Sequence, residues 1–128
     1  MLSLEALIID DNTDNLTVLS QLLQIEGIRS IREPRAGNVA NDLGRFVGVS
    51  LIFLDLEMAT DGFALLQLFK SDRRYDGIPI IAYTVHTHLL ADAKAAGFDG
   101  FIGKPVSAEE FPDQIATILR GGHVWWTP

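Results

Sequence analysis

Residues 4–9, 51–54 and 78–83 form short apolar runs bounded by polar or turn residues. Runs of this length read as strands buried on both faces of a parallel sheet. Between them the spacing changes to three and four. Leu16, Leu19, Leu22 and Leu23 share one helical face, as do Phe63, Leu66 and Phe69, and again Ile115, Ile118 and Leu119.

In chain order the pattern predicts a strand over 4–9 and a helix capped by Asn12 or Thr13. That helix is closed by Gly27 as a left-handed residue. A short strand over 28–31 and a weak helix over 38–46 follow. Then come the strand ending at Asp55, a helix over 62–71, a strand over 78–83 and a short helix over 88–96. A strand stub over 101–103 leads into the last helix, where Ser107 and Glu110 make a capping box with Val106 and Phe111 as its hydrophobic staple. Pro112 lies inside that helix and predicts a distorted first turn. Strands alternating with helices imply an α/β fold. Its sheet is parallel, with right-handed crossovers, helices on both faces and the first, third and fourth strands central.

Composition adds little to this picture but excludes some functions. The 128 residues suit one domain, expected to occupy 1–122 with a short aromatic tail over 123–128. Seventeen acids against ten bases give a net charge of −7, which argues against a nucleic-acid partner. The absence of cysteine fits the cytoplasm. No stretch has the length of a membrane span and no signal core precedes the first strand, so a soluble, cytoplasmic protein with no membrane partner is expected.

Every strand of such a sheet ends on the same edge, where α/β folds place their ligands. Asp10 and Asp11, Asp55, Thr84 and Lys104 each close a strand, so three carboxylates, a hydroxyl and an ammonium should converge there. An acid after a strand is ordinarily a helix cap, but five polar residues at four strand ends need another explanation. Crowded carboxylates repel unless a proton or cation intervenes. An all-oxygen donor set suits a hard octahedral ion, with Mg²⁺ the natural candidate. Lys104 and Thr84 can bind phosphate oxygens, and Asp55 can act as a nucleophile toward phosphorus.

These residues, with Asp61-Gly62 and the run from Gly100 to Pro105, resemble the receiver domains of two-component response regulators across essentially the whole chain. The resemblance implies a flavodoxin-like doubly wound sheet of five strands in the order 2-1-3-4-5. It implies that Asp55 takes a phosphoryl group from a histidine kinase or phosphotransfer protein. Mg²⁺ would be held by Asp11, Asp55 and the backbone carbonyl of Glu57, with Asp10 acting through water. Lys104 and Thr84 would bind the phosphate, and Thr84 with Phe101 would switch the face formed by helix four, strand five and helix five toward a downstream protein. It also implies a cis Lys104-Pro105 bond, weak autophosphatase activity at most, and a monomer or weak homodimer.

The chain departs from the family's usual pattern at several places. The loop after Asp55 is one residue short, with Ala59 in place of a proline, and the short segment from Thr84 to Lys104 predicts a stunted helix four. Phe101 replaces a frequent tyrosine. Val85 stands where a small residue is usual and should narrow the pocket mouth, which Glu57 and His86 should flank as a pair.

Two other functions share parts of this pattern. A phosphatase with an aspartyl nucleophile places a second acid two residues on, as Glu57 is here, but no cap domain accompanies it. An interaction module independent of phosphorylation would tolerate loss of pocket residues, and none is lost. His86 and His88, with His123, form a further candidate metal set, set against a plain surface reading. Trp125 and Trp126 are expected to fold back onto the body, the alternative being a docking or dimer patch.

Overall fold

The computed structural model describes residues 3–57 and 61–128. Its sheet holds six parallel strands in the order β2-β1-β3-β4-β5-β6, not the expected five. The elements are β1 (Leu4–Ile9), α1 (Thr13–Ile25), β2 (Ile28–Glu33), α2 (Ala36–Asn41), β3 (Leu51–Asp55), α3 (Gly62–Lys70), β4 (Ile80–Thr84), α4 (Leu90–Ala96), β5 (Gly100–Gly103), α5 (Phe111–Leu119) and β6 (Trp125–Trp126). The added strand is the aromatic tail. Its residues pair in register with β5, Phe101 opposite Trp125 and Ile102 opposite Trp126.

Alternation along the strands divides the core in two. Leu7, Ile9, Ile52, Leu54, Ala82 and Phe101 face α2, α3 and α4, while Ala6, Ile8, Phe53, Ile81 and Ile102 face α1 and α5. The tail obeys the same rule, with Trp125 packing on the first cluster and Val124 and Trp126 on the second. It fits because β5 begins and ends in glycine. A Cβ at Gly100 would lie 2.9 Å from the Val124 carbonyl oxygen, and one at Gly103 would lie 2.8 Å from Pro128 Cδ.

Two helices differ from the sequence expectation and a third meets it. α2 stops at Asn41 and a 3₁₀ turn, Leu43–Phe46, completes the predicted segment. Segment four is indeed short: a 3₁₀ turn over Thr87–Leu89 and then seven residues of α-helix. α5 begins at Phe111, three residues later than its capping box predicts. Ser107 Oγ accepts the Glu110 N–H at 3.3 Å and its carbonyl accepts the Phe111 N–H at 2.9 Å, so it organises a turn ahead of the helix. Pro112 thereby falls in the first helical turn, where its missing N–H has no partner to lose. The first turn is displaced from the predicted start rather than distorted within it.

Candidate functional site

β1, β3 and β4 are adjacent, so the acids after β1 and at the tip of β3 meet at the carboxyl edge. Asp10 and Asp55 are buried and Asp11 is exposed, and one carboxylate oxygen of each lies within 4.8 Å of the others. Among the described residues this is the one such cluster of metal-ligating side chains.

Each buried acid is held by a backbone N–H two residues further on. Asp10 Oδ1 accepts from Asn12 at 2.9 Å, and Asp55 Oδ1 accepts from Glu57 at 3.0 Å. The second oxygens turn toward Lys104, whose ammonium is 2.8 Å from Asp10 Oδ2 and 3.6 Å from Asp55 Oδ2. Lys104 reaches them because its N–H bonds the Thr84 carbonyl at 2.8 Å, carrying the β4-β5 ladder one residue past β5. The Lys104-Pro105 bond is cis, as the resemblance implies.

One ammonium does not balance these carboxylates. Burial pushes the Asp55 carboxyl up from the ordinary 3.8 to about 6; the Glu57 N–H and Lys104 oppose that rise and the negative charge of Asp10 adds to it. A cluster of oxygen donors left short of positive charge fits a hard divalent cation such as Mg²⁺.

Thr84 is fully buried beside Lys104, and its Oγ1 accepts the His86 N–H at 3.1 Å, so the hydroxyl proton remains free to donate. Val85 is 55% exposed at the mouth. His86 Nε2 pairs with Glu57 Oε1 across it, as the spacing predicts. Ala59 lies outside the described residues. His86 bonds a carboxylate with the His88 ring 5.4 Å away, while His123 bonds the Asp99 carbonyl through Nδ1 at 2.7 Å and stacks on Trp125, so the three histidines do not form one cluster of metal-ligating side chains. Phe101 is fully buried between Ala82 and the α4 side of the core.

Two contributors are not evident from strand-end reasoning. Tyr83, the register partner of Asp55, lays its ring 4.3 Å beneath the Lys104 ammonium, and burial raises its hydroxyl pKa. An aromatic one residue before Thr84 was the available signal, hidden among core residues. Gly62 is the other: a Cβ there would lie 2.9 Å from the Asp55 carbonyl oxygen and 3.2 Å from Leu56 Cα. Asp61, meanwhile, caps α3 by accepting the Phe63 N–H at 2.9 Å. The Asp-Gly pair thus starts a helix and lets it press against the backbone of Asp55.

The family model described as the response regulator receiver domain matches residues 6–116. The heme response regulator HssR of Staphylococcus aureus is 31% identical over 119 residues, covering 91% of this chain and 51% of that protein. The chemotaxis protein CheY of Pseudomonas aeruginosa is 24% identical over 120 residues, covering 91% of this chain and 97% of that one. Among solved structures, the chemotaxis response regulator CheY4 of Vibrio cholerae superposes with a TM-score of 0.78 at 21% identity, covering 94% of this chain and 99% of that chain, a likeness of fold. The chain thus spans about half of HssR, and it spans 9% of the yeast osmosensing histidine protein kinase SLN1, to which it is 28% identical.

Proposed function

This chain belongs to the receiver-domain family of response regulators, and on that footing we propose that Asp55 accepts a phosphoryl group from a phosphohistidine on a histidine kinase or phosphotransfer protein. The observation that carries this reading is the convergence of Asp10, Asp11, Asp55, Thr84 and Lys104 at one sheet edge. Structural caps would each serve their own turn, as Glu33 does, and would not share one buried lysine.

In the proposed step an Asp55 carboxylate oxygen attacks phosphorus, the phosphorus–nitrogen bond to the donor imidazole breaks, and a mixed anhydride forms. The Glu57 N–H fixes one carboxylate oxygen in place. Lys104, drawn from Asp10, neutralises a phosphate oxygen, and the Thr84 hydroxyl donates to another. Mg²⁺, when bound by Asp11, Asp55 and the Glu57 carbonyl with Asp10 through water, would supply charge neutralisation at the phosphoryl oxygens. Because Thr84 and Lys104 are tied to each other through the β4-β5 ladder, their movement toward a new dianion is transmitted to β5 and to buried Phe101. That movement would be read by a downstream protein. The remainder of the proposal is a cytoplasmic receiver over 1–122, monomeric or weakly dimeric, followed by the docked segment 123–128.

Intact mass after incubation with Mg²⁺ and either acetyl phosphate or a phosphorylated kinase tests the reading. Wild type should gain one phosphoryl group and Asp55→Asn none. Equal gain in both proteins, or none in wild type with either donor, would refute it.

A further inference from the structure

The tail closes one edge of the sheet and opens another. β6 is now the outermost strand, and α5 runs beside it. Between them lies an open groove of about 340 Å³ lined by Glu110, Asp113, Gln114, Thr117, Trp125 and Trp126, among others.

Gln114 is the anomaly in this groove. It is 6% exposed, and neither its Nε2 nor its Oε1 has a hydrogen-bond partner. A buried carboxamide left unpaired is costly, and native structures rarely keep one without a use. Its neighbour offers no relief, because the Thr117 hydroxyl donates to the Asp113 carbonyl at 2.9 Å. A carboxamide presents one donor group and one acceptor, the same pair a peptide group presents in return.

The strand beside it carries the same demand. Phe101 N–H bonds the Val124 carbonyl at 2.7 Å, and Phe101 stands in register with Trp125. In a parallel ladder the N–H and C=O of Trp125 therefore point away from β5, toward the free edge. Glu110 and Asp113 add negative charge along the wall, and the indoles add apolar surface.

We propose that the α5-β6 groove is a docking site for an extended, lysine- or arginine-bearing segment of a partner protein. The segment adds as a seventh strand along Trp125, and the Gln114 carboxamide turns outward from its buried position to pair with one of its peptide groups. Its basic side chains meet Glu110 and Asp113, and its apolar ones lie on the indoles. This docking needs no phosphoryl chemistry, so it stands or falls apart from the role of Asp55.

The probe is a set of short fluorescein-labelled peptides alternating lysine with valine, leucine or phenylalanine, titrated into the full chain without Mg²⁺. Saturable binding is expected, with NMR shifts at the Gln114 side-chain amide and both indole N–H groups. Peptides with glutamate for lysine, or methylated on alternate backbone nitrogens, should bind at least about tenfold more weakly. Gln114→Leu should weaken binding by about tenfold while raising the unfolding temperature, since it removes an unpaired polar group from the interior; a merely structural glutamine would not give those opposite signs. Glu110→Lys should also weaken binding. The proposal is overturned by no saturable binding, by unchanged binding of Gln114→Leu, or by shifts confined to Asp10, Asp11 and Asp55. Self-association abolished by Glu110→Lys would likewise overturn it, by assigning the groove to a second copy of this chain.

Discussion

Lys104 is tethered to Asp10: its ammonium lies 2.8 Å from Asp10 Oδ2, and both side chains are almost wholly buried. Asp55 is the farther partner, at 3.6 Å. The lysine is thus kept beside Asp55, the proposed phosphoacceptor, by an acid that need not itself react. Lys104→Met would leave two buried carboxylates facing each other without a cation. Removing one partner of a buried pair costs roughly 3–5 kcal/mol when the remaining charge stays buried. Urea denaturation in chelator at neutral pH should therefore show a loss toward that size, shrinking as pH falls and Asp55 takes up a proton. Unchanged stability would mean that Lys104 does not hold the acids together.

Asp55 itself should be a liability to the metal-free fold. Its carboxyl is raised from 3.8 to about 6, so the folded state binds more protons than the unfolded chain between those values. Stability attributable to Asp55 is then lost as pH rises through that window, and the cost is fully felt above it. A displacement of this size corresponds to roughly 3 kcal/mol at most. Asp55→Asn should accordingly raise stability in chelator near pH 7.5 and lose its advantage near pH 4. Mg²⁺ should narrow the gap by stabilising wild type more than the variant. A variant no more stable than wild type at pH 7.5 would contradict the electrostatic account.

Gly62 separates packing from chemistry at the same strand tip. Its Cβ would collide with backbone, 2.9 Å from the Asp55 carbonyl oxygen, and backbone cannot yield as a flexible side chain can. Gly62→Ala should cost roughly 1–3 kcal/mol and slow phosphoryl uptake by Asp55. Gly37→Ala is the control, since a Cβ there meets nothing within 4 Å. It lies in α2 and should be neutral or stabilising by up to about 1 kcal/mol. Equal behaviour of the two variants in phosphorylation and denaturation would remove Gly62 from the account.

The tail makes a further prediction about the edge of the sheet. Gly100→Ala places a Cβ 2.9 Å from the Val124 carbonyl oxygen, so β6 can no longer pair closely with β5. Both tryptophans of the chain sit in β6, so tail release should red-shift the whole tryptophan emission. Gly100→Ala and truncation after Gly122 should each lower stability by roughly 2–4 kcal/mol, the scale of losing two half-buried indoles and their ladder bonds. A Gly100→Ala protein with wild-type emission would show that the tail is not held as described.

Much of this was legible because strand tips report on topology. Five predicted strands, three of them apolar runs, with a polar residue at the end of four pointed to both the sheet and its functional edge, since parallel strands must finish together. The sixth strand escaped because Trp125 and Trp126 make a two-residue segment with no room for alternation to show. The glycines flanking β5 make space for it, but a glycine in a strand stub reads as a break. Glu33 was missed for a different reason. It ends β2 and is buried, yet its carboxylate accepts the Arg35 N–H and the Asn38 side chain, the ordinary capping work from which Asp10 and Asp55 had to be distinguished. The late start of α5 turned on Pro112, whose missing N–H outweighed a well-formed capping box upstream.

Glu57 and His86 join across the pocket mouth, with side chains 46% and 41% exposed. Each stands two residues beyond a central group, Asp55 or Thr84, and each of those groups accepts the backbone N–H of its follower. On the proposed function, the pair would stand in the path of a water approaching a phosphoryl group on Asp55. Breaking it should open that path without touching the nucleophile. Glu57→Ala and His86→Ala should each shorten the lifetime of the proposed acyl phosphate by roughly two- to fivefold, the range expected for one exposed side-chain hydrogen bond. The double variant should lose no more than either single one, because both remove the same contact. Phosphorylated protein freed of donor and followed by intact mass gives the rates directly. Two single variants with the wild-type decay rate would leave the bridge without a part in dephosphorylation.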